Sequence, residues 1–180
     1  MKRVLLAALV LLLAQTAVQA QTPSIGVGAF GGLNIPIVQD DQANGTVFGV
    51  RARVKLLPFL VAEPNIMLSK WGDPDAIDGV DLGISGSKIT GFGVDATIGG
   101  LPGAVGFKPF LVVGFGSFKI KNDDTGFDES NLGFKGGLGF GFGLSPKLDL
   151  DLRGALLVVP QEDGGSKKGG LITAGVSINL

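Results

Sequence analysis

From residue 24 onward the chain alternates. Eight stretches, at about 24–35, 46–56, 60–71, 88–99, 107–121, 131–144, 147–159 and 170–180, place apolar residues at every second position, with polar residues or glycine between them. That is the period of a strand with two unlike faces, and no stretch of this region carries the 3.6-residue period of a helix. The links between stretches also alternate. Three are short, built on Leu57-Pro58-Phe59, on the segment that begins at Gly100, and on Ser145-Pro146-Lys147. The other four are longer and polar, starting at Pro36, Gly72, Asn122 and Pro160. An even number of strands joined by short turns at one end and long loops at the other closes into an all-β, eight-stranded antiparallel up-and-down barrel with both termini at the short-turn end.

The faces separate cleanly on most strands. Phe48, Val50, Ala52, Val54 and Leu56 oppose Arg51, Arg53 and Lys55. Leu60, Ala62, Ile66 and Leu68 oppose Glu63, Asn65 and Ser69, while Leu148, Leu150 and Leu152 oppose Asp149, Asp151 and Arg153. A soluble ligand-binding barrel of the periplasm would show the same alternation with inside and outside exchanged, so composition has to decide. Much of the polar face is glycine, including Gly91, Gly93 and Gly99, and charged residues make up 17% of the chain against about 25% in ordinary soluble domains. Bare backbone is a poor coat for a soluble surface. It suits the inside of an eight-stranded barrel, which is just wide enough for its own side chains, so some inward positions must be small. The apolar face then meets lipid, and the fold is a transmembrane barrel.

The stretch Gly137–Ser145, GLGFGFGLS, shows the logic most plainly. With a three-residue link at Ser145-Pro146-Lys147, Leu144 falls opposite Leu148, and Gly143, Gly141 and Gly139 fall opposite Asp149, Asp151 and Arg153. The glycines are expected to leave room for those charges, with Phe140 facing lipid and Gly141 the lumen. Arg53 falls opposite Glu63 with Arg51 one step away. A lumen closed by Arg51, Arg53, Lys55, Glu63, Asp149, Asp151 and Arg153 follows, its charges tolerating burial because they pair. On the fifth strand Phe110, Val112 and Phe118 suggest the outward face, which sends Leu111, Val113 and Phe115 inward.

The N-terminal segment has Lys2 and Arg3, an apolar run from Val4 to Ala14 and a small-residue site at Val18-Gln19-Ala20. It reads as a secretory signal peptide over 1–20, leaving 21–180 as the barrel domain. The run is too short for the roughly 20 residues of a spanning helix.

Catalytic, cofactor and metal sites are not expected. The chain holds no His and no Cys, which removes the usual general bases, thiol nucleophiles and most transition-metal ligands. Gly26–Gly31, GVGAFG, has dinucleotide-motif spacing but no helix follows it. The acidic groups Asp73, Asp75, Asp78, Asp81 and Asp123, Asp124, Asp128, Glu129 lack calcium-loop spacing and read as solvated loops. A net charge of -1 and the lack of a basic cluster exclude nucleic acid as a partner.

On these residues the mature chain resembles the small eight-stranded outer-membrane barrels of the OmpA and OmpX type, a porin-family β-barrel domain. The run from Pro109 to Phe118, PFLVVGFGSF, is similar to their proline-aromatic, glycine-alternating fifth strand, and the chain ends on a last strand, as theirs do. The resemblance implies an outer-membrane location in a Gram-negative-type bacterium, outer-membrane lipid as surroundings, a monomer, and Ile172, Ala174, Val176, Ile178 and Leu180 as the signal read by the insertion machinery. It implies a structural or surface-interaction role, with a narrow porin-like channel as the alternative. This chain departs from the pattern in ending on leucine rather than phenylalanine and in carrying Trp71 but no Tyr.

Overall fold

The computed structural model describes residues 24–37, 42–74, 83, 85–99, 105–161 and 164–180. The segment 1–20 read from the sequence as a signal peptide lies outside them, as do Asp75, Asp78 and Asp81 of the second long loop. Eight strands, β1 Ile25–Pro36, β2 Gly45–Leu57, β3 Leu60–Lys70, β4 Lys88–Ile98, β5 Gly106–Asn122, β6 Phe127–Ser145, β7 Leu148–Pro160 and β8 Ser166–Asn179, form one closed barrel in chain order. Closure comes from antiparallel pairing of β1 with β8, from Gly26↔Asn179 to Pro36↔Gly169. Beyond it the Leu180 amide donates to the Ile25 carbonyl at 2.8 Å.

Strand boundaries depart from the sequence reading at two loops. The β5–β6 ladder continues to Asn122↔Phe127, where Gly126 takes a left-handed φ of 71°. The β7–β8 ladder continues to Pro160↔Ser166. Two loops expected to be long are therefore tight, and β5 and β6, 17 and 19 residues long, stand taller than the 11-residue β3 and β4. About 9–11 residues suffice to cross a bilayer, so the β5–β6 hairpin projects well beyond it. The link after β6 is also tighter than expected. Gly143↔Asp149, Gly141↔Asp151 and Gly139↔Arg153 pair, but an irregularity puts Ser145, rather than Leu144, opposite Leu148.

The outward belt is apolar. Phe48, Phe92, Phe115, Leu132 and Phe134 are all more than half exposed, as are Leu138 and Ile178. Phe140 points outward and Gly141 inward. Near the short-turn end Phe107 stacks on Phe140 with centroids 5.3 Å apart and meets Phe142 at 5.4 Å, an aromatic patch without the polar tips that Tyr or Trp would bring. Phe140→Arg should destabilise the barrel in vesicles by about 2–4 kcal/mol, with a smaller loss if the residue lies nearer the interface than the midplane. Denaturant unfolding in bilayers of differing thickness measures it.

β5 has the opposite orientation to the sequence expectation. Phe110, Val112, Phe118 and Ile120 are buried inside, while Leu111, Val113 and Phe115 face outward. The reason is the glycine on the neighbouring strands. A Cβ at Gly139 would come within 2.6 Å of the Phe110 ring; one at Gly91 or Gly133 would come within 2.7 Å of the Phe118 ring, from its two sides. The bare backbone of β4 and β6 thus receives the aromatic rings of β5. Gly139 leaves room for Phe110 rather than for Arg153 directly. Gly141 is less constrained, since a Cβ there would meet nothing closer than 3.7 Å.

The β2–β3 ladder contains a gap in mid-strand, besides the irregularity between Lys55 and Leu57 beside the turn. Arg51↔Asn65 and Val54↔Ala62 pair, but no pair forms at Ala52/Pro64 or Arg53/Glu63 between them. Pro64 has no N–H to give to the Ala52 carbonyl, and proline is normally kept out of interior strands for this reason. Pro64→Val restores the donor on an outward-facing position and should stabilise the barrel by about 1 kcal/mol in denaturant unfolding.

Candidate functional site

Three strands supply most of the charge inside the barrel. On β2 and β7 the inward parity carries Arg51 and Arg53, and Asp149, Asp151 and Arg153; on β3 it carries Glu63, which is 0% exposed. These six form one alternating chain. Asp149 accepts from Arg53 Nη1 at 3.0 Å, and Glu63 Oε1 accepts from Arg53 Nε at 3.1 Å. Glu63 accepts in addition from Arg153 Nη1 and Nη2 at 2.5 and 3.1 Å. Arg153 Nε donates to Asp151 Oδ1 at 2.7 Å, and Asp151 Oδ2 accepts from Arg51 Nη2. Three guanidinium groups and three carboxylates balance, which is the condition for charges to be held out of water. Arg51 also donates to Ser177 Oγ, and Asn179 to Asp149, tying in β8.

β2 and β7 are not neighbours; β1 and β8 lie between them. The Arg51–Asp151 and Arg53–Asp149 pairs therefore brace the barrel across its width. Flat rings support the chain, with the Arg153 guanidinium 5.2 Å from the Phe110 centroid and that of Arg51 5.7 Å from Phe30. Lys55 shares the inward face of β2 closer to the short-turn mouth, where it is half-buried.

A second buried pair was not anticipated. Lys135 on β6 donates to Asp95 on β4 at 2.8 Å and to Asn65 at 3.3 Å. Its signal was the parity of Asp95 with Gly91 and Gly93, and of Lys135 with Gly133 and Gly139, all inward positions.

Toward the long-loop end the interior becomes apolar. Val47, Met67, Trp71, Ile89, Phe118, Ile120, Leu157, Val159 and Leu171 pack into one buried cluster, with Phe30 and Phe127 against it. Lys167 lies over this plug, its Nζ 4.5 Å from the Phe127 centroid and 5.6 Å from that of Trp71. The expectation of a lumen closed by packed polar side chains is narrowed here: the charged layer occupies the half nearer the short turns, and mostly aliphatic and aromatic side chains, with the hydrogen-bonded Asn34 and Ser69 among them, occupy the other. Between them lies a cavity of about 40 Å³ bordered by Arg51, Asp95, Lys135, Met67 and Leu171. That is space for a few waters at most.

The acidic loop groups are engaged by lysines and backbone. Asp123 accepts from Lys88 at 2.8 Å and pairs with Lys121 at 2.6 Å, which hold its carboxyl down to about 2. Asp124 accepts from the Ser85 amide and Asp73 from the Gly86 amide. Among the described residues no three metal-ligating side chains come together.

The family model of the outer membrane protein beta-barrel domain matches residues 4–179. The chain belongs to the outer membrane protein β-barrel family. Its place is the outer membrane, and the apolar belt of this outer-membrane barrel is the face such a location requires. Solved structures show the same fold at low identity. Neisserial surface protein A (NspA) is 16% identical with a TM-score of 0.67, covering 87% of this chain and 97% of its own. The N-terminal β-barrel domain of Pseudomonas aeruginosa OprF is 19% identical with a TM-score of 0.53, covering 87% and 97%. OprG from Pseudomonas aeruginosa is 11% identical with a TM-score of 0.54, covering 88% and 95%. No curated protein matches the sequence. Ile172, Ala174, Val176 and Ile178 line the outward face of β8 in this outer-membrane barrel, and Leu180 follows its end, 81% exposed.

Proposed function

We propose that this protein is a closed, non-catalytic structural barrel of the outer membrane that presents its long loops to the outside and its short turns to the periplasm. The observation that carries this reading is the two-layer interior. A neutral chain of six cross-bracing charges lies under an apolar plug capped by Lys167. An eight-stranded barrel has room for such side chains and little else. The fold likeness to a protein named as a surface protein is in keeping with display of the loops. In this reading the barrel inserts as a monomer, and Ile172, Ala174, Val176, Ile178 and Leu180 form the terminal signal for the insertion machinery.

Purified, refolded protein in a planar bilayer tests the closed interior. No steady conductance is expected; a stable conductance comparable to that of a general porin would replace this reading with the channel. Proteolysis of intact cells tests the orientation, with cuts expected in the long loops and none in the short turns.

A further inference from the structure

The lipid-facing wall is not uniformly convex. Across β8, β1, β2, β3 and β4 lies a groove of about 600 Å³, running from Val176 and Ile178 at one end to Phe92 at the other. Its bottom is set by Ala29 and Ala52, which the register places among Val27, Val50 and Ile66. Gly28, Arg51 and Asn65 also border it, although they are inward positions. The floor of the groove is therefore bare main chain. The missing rung at Pro64 crosses this floor, where the Ala52 carbonyl lacks its ladder donor.

We propose that this groove seats one acyl chain of a membrane phospholipid. The inference rests on the outer-membrane reading and goes beyond it. Five strands spaced about 4.8 Å apart make a trough roughly 19 Å long. With strands tilted about 40° it rises roughly 12 Å along the membrane normal, within the 15 Å or so of one leaflet. The rung from Ile178 through Val27 and Ala52 to Pro64 lies in the short-turn half of the wall, so the chain comes from the leaflet on that side. The groove carries no charged side chain on its outward face to select a headgroup, which leaves the hydrocarbon as the recognised part. A second copy fits poorly. A two-fold interface would set groove against groove and leave a void where contact is needed.

The test uses the full barrel refolded in phosphatidylcholine vesicles doped with a phospholipid bearing a photoreactive diazirine on its acyl chain, with adducts mapped by peptide mass spectrometry. Adducts on the Val27–Ala29, Val50–Ala52 and Pro64–Ile66 segments should exceed those on Leu138 and Phe140 of β6 and Leu152 of β7, outward positions in the same half of the wall, by roughly tenfold, the preference expected if the groove adds burial equal to about two methylenes. Ala52→Phe, which fills the groove, should remove the excess. Its fold is checked by heat-modifiable gel mobility, and Ala29→Leu serves as a second, milder variant. Equal labelling around the belt would overturn the proposal while leaving the barrel intact; labelling nowhere on the belt would instead contradict the membrane reading itself. Because the chain lacks cysteine, Ala52→Cys gives a clean check for a copy in the groove. A disulfide-linked dimer forming at that position in vesicles would also overturn it.

Discussion

Glu63→Ala is expected to destabilise the barrel by about 3–5 kcal/mol, the usual consequence of removing one partner from a buried charge pair. Glu63 is fully buried and, among the described residues, is the one carboxylate that joins Arg53 to Arg153. Its loss leaves three guanidinium groups facing two carboxylates. The effect should fall toward the lower end of that range, because Arg53 keeps Asp149 and Arg153 keeps Asp151. Double substitutions separate the pairwise contributions. Arg153→Ala should recover more of the loss than Arg53→Ala, since Glu63 receives two hydrogen bonds from Arg153 and one from Arg53. Urea unfolding in lipid vesicles, read by the fluorescence of Trp71, provides the measurement; it is the sole tryptophan and lies buried in the plug. Additive losses in the Arg153 double variant would mean that the two side chains do not interact as described.

Phe118→Ala is expected to cost about 3–5 kcal/mol, because the vacated space is bounded on two sides by backbone and can collapse only in part. The ring lies between Gly91 and Gly133, and neither can extend a side chain to fill the hole. The same geometry predicts the converse. Gly133→Ala brings a methyl against the ring and should also destabilise, whereas combined with Phe118→Leu its effect should be less than additive. Trp71 belongs to the same cluster, so its emission should shift to the red in Phe118→Ala if water enters the plug. An unchanged spectrum and unfolding midpoint would show that Phe118 does not hold the plug together.

Most of the barrel was legible because period 2 and the placing of the links are independent signals that agreed on eight strands, although the β5–β6 and β7–β8 links are tight rather than long. β2, β3, β7 and β8 each set charge or hydroxyl against aliphatic residues, and their faces could be read without ambiguity. β5 could not be read in isolation. Its inward Phe110, Val112 and Phe118 and its outward Leu111, Val113 and Phe115 are equally bulky and apolar, so alternation carries no contrast there. The deciding information lay on the adjacent strands. Gly91 on β4, and Gly133 and Gly139 on β6, leave hollows that only β5 can fill. A glycine face is thus a statement about its neighbours' side chains. The same omission hid the plug, whose members Val47, Ile89, Leu157 and Leu171 sit on the parity otherwise occupied by polar groups. The Arg53–Glu63 proximity was legible from turn length alone. The cross-lumen contacts with Asp149 and Asp151 were not, since they depend on how the sheet closes.

The division of the interior along the barrel axis bears on how such a molecule can be threaded into a bilayer. A barrel that enters with its long-loop end leading carries Trp71, Phe118, Ile120 and Val159 ahead and the six-charge chain behind. The leading part is mostly apolar within, and its buried Asn34 and Ser69 are hydrogen-bonded to each other. The arginines and carboxylates follow at the rear, where water at the entry side can hydrate them until β1 and β8 meet. If that seam seals last, it is the step at which Arg51 and Asp151, Arg53 and Asp149, and Arg153 and Glu63 exchange water for one another, and the zipping of Gly26↔Asn179 completes assembly and neutralisation together.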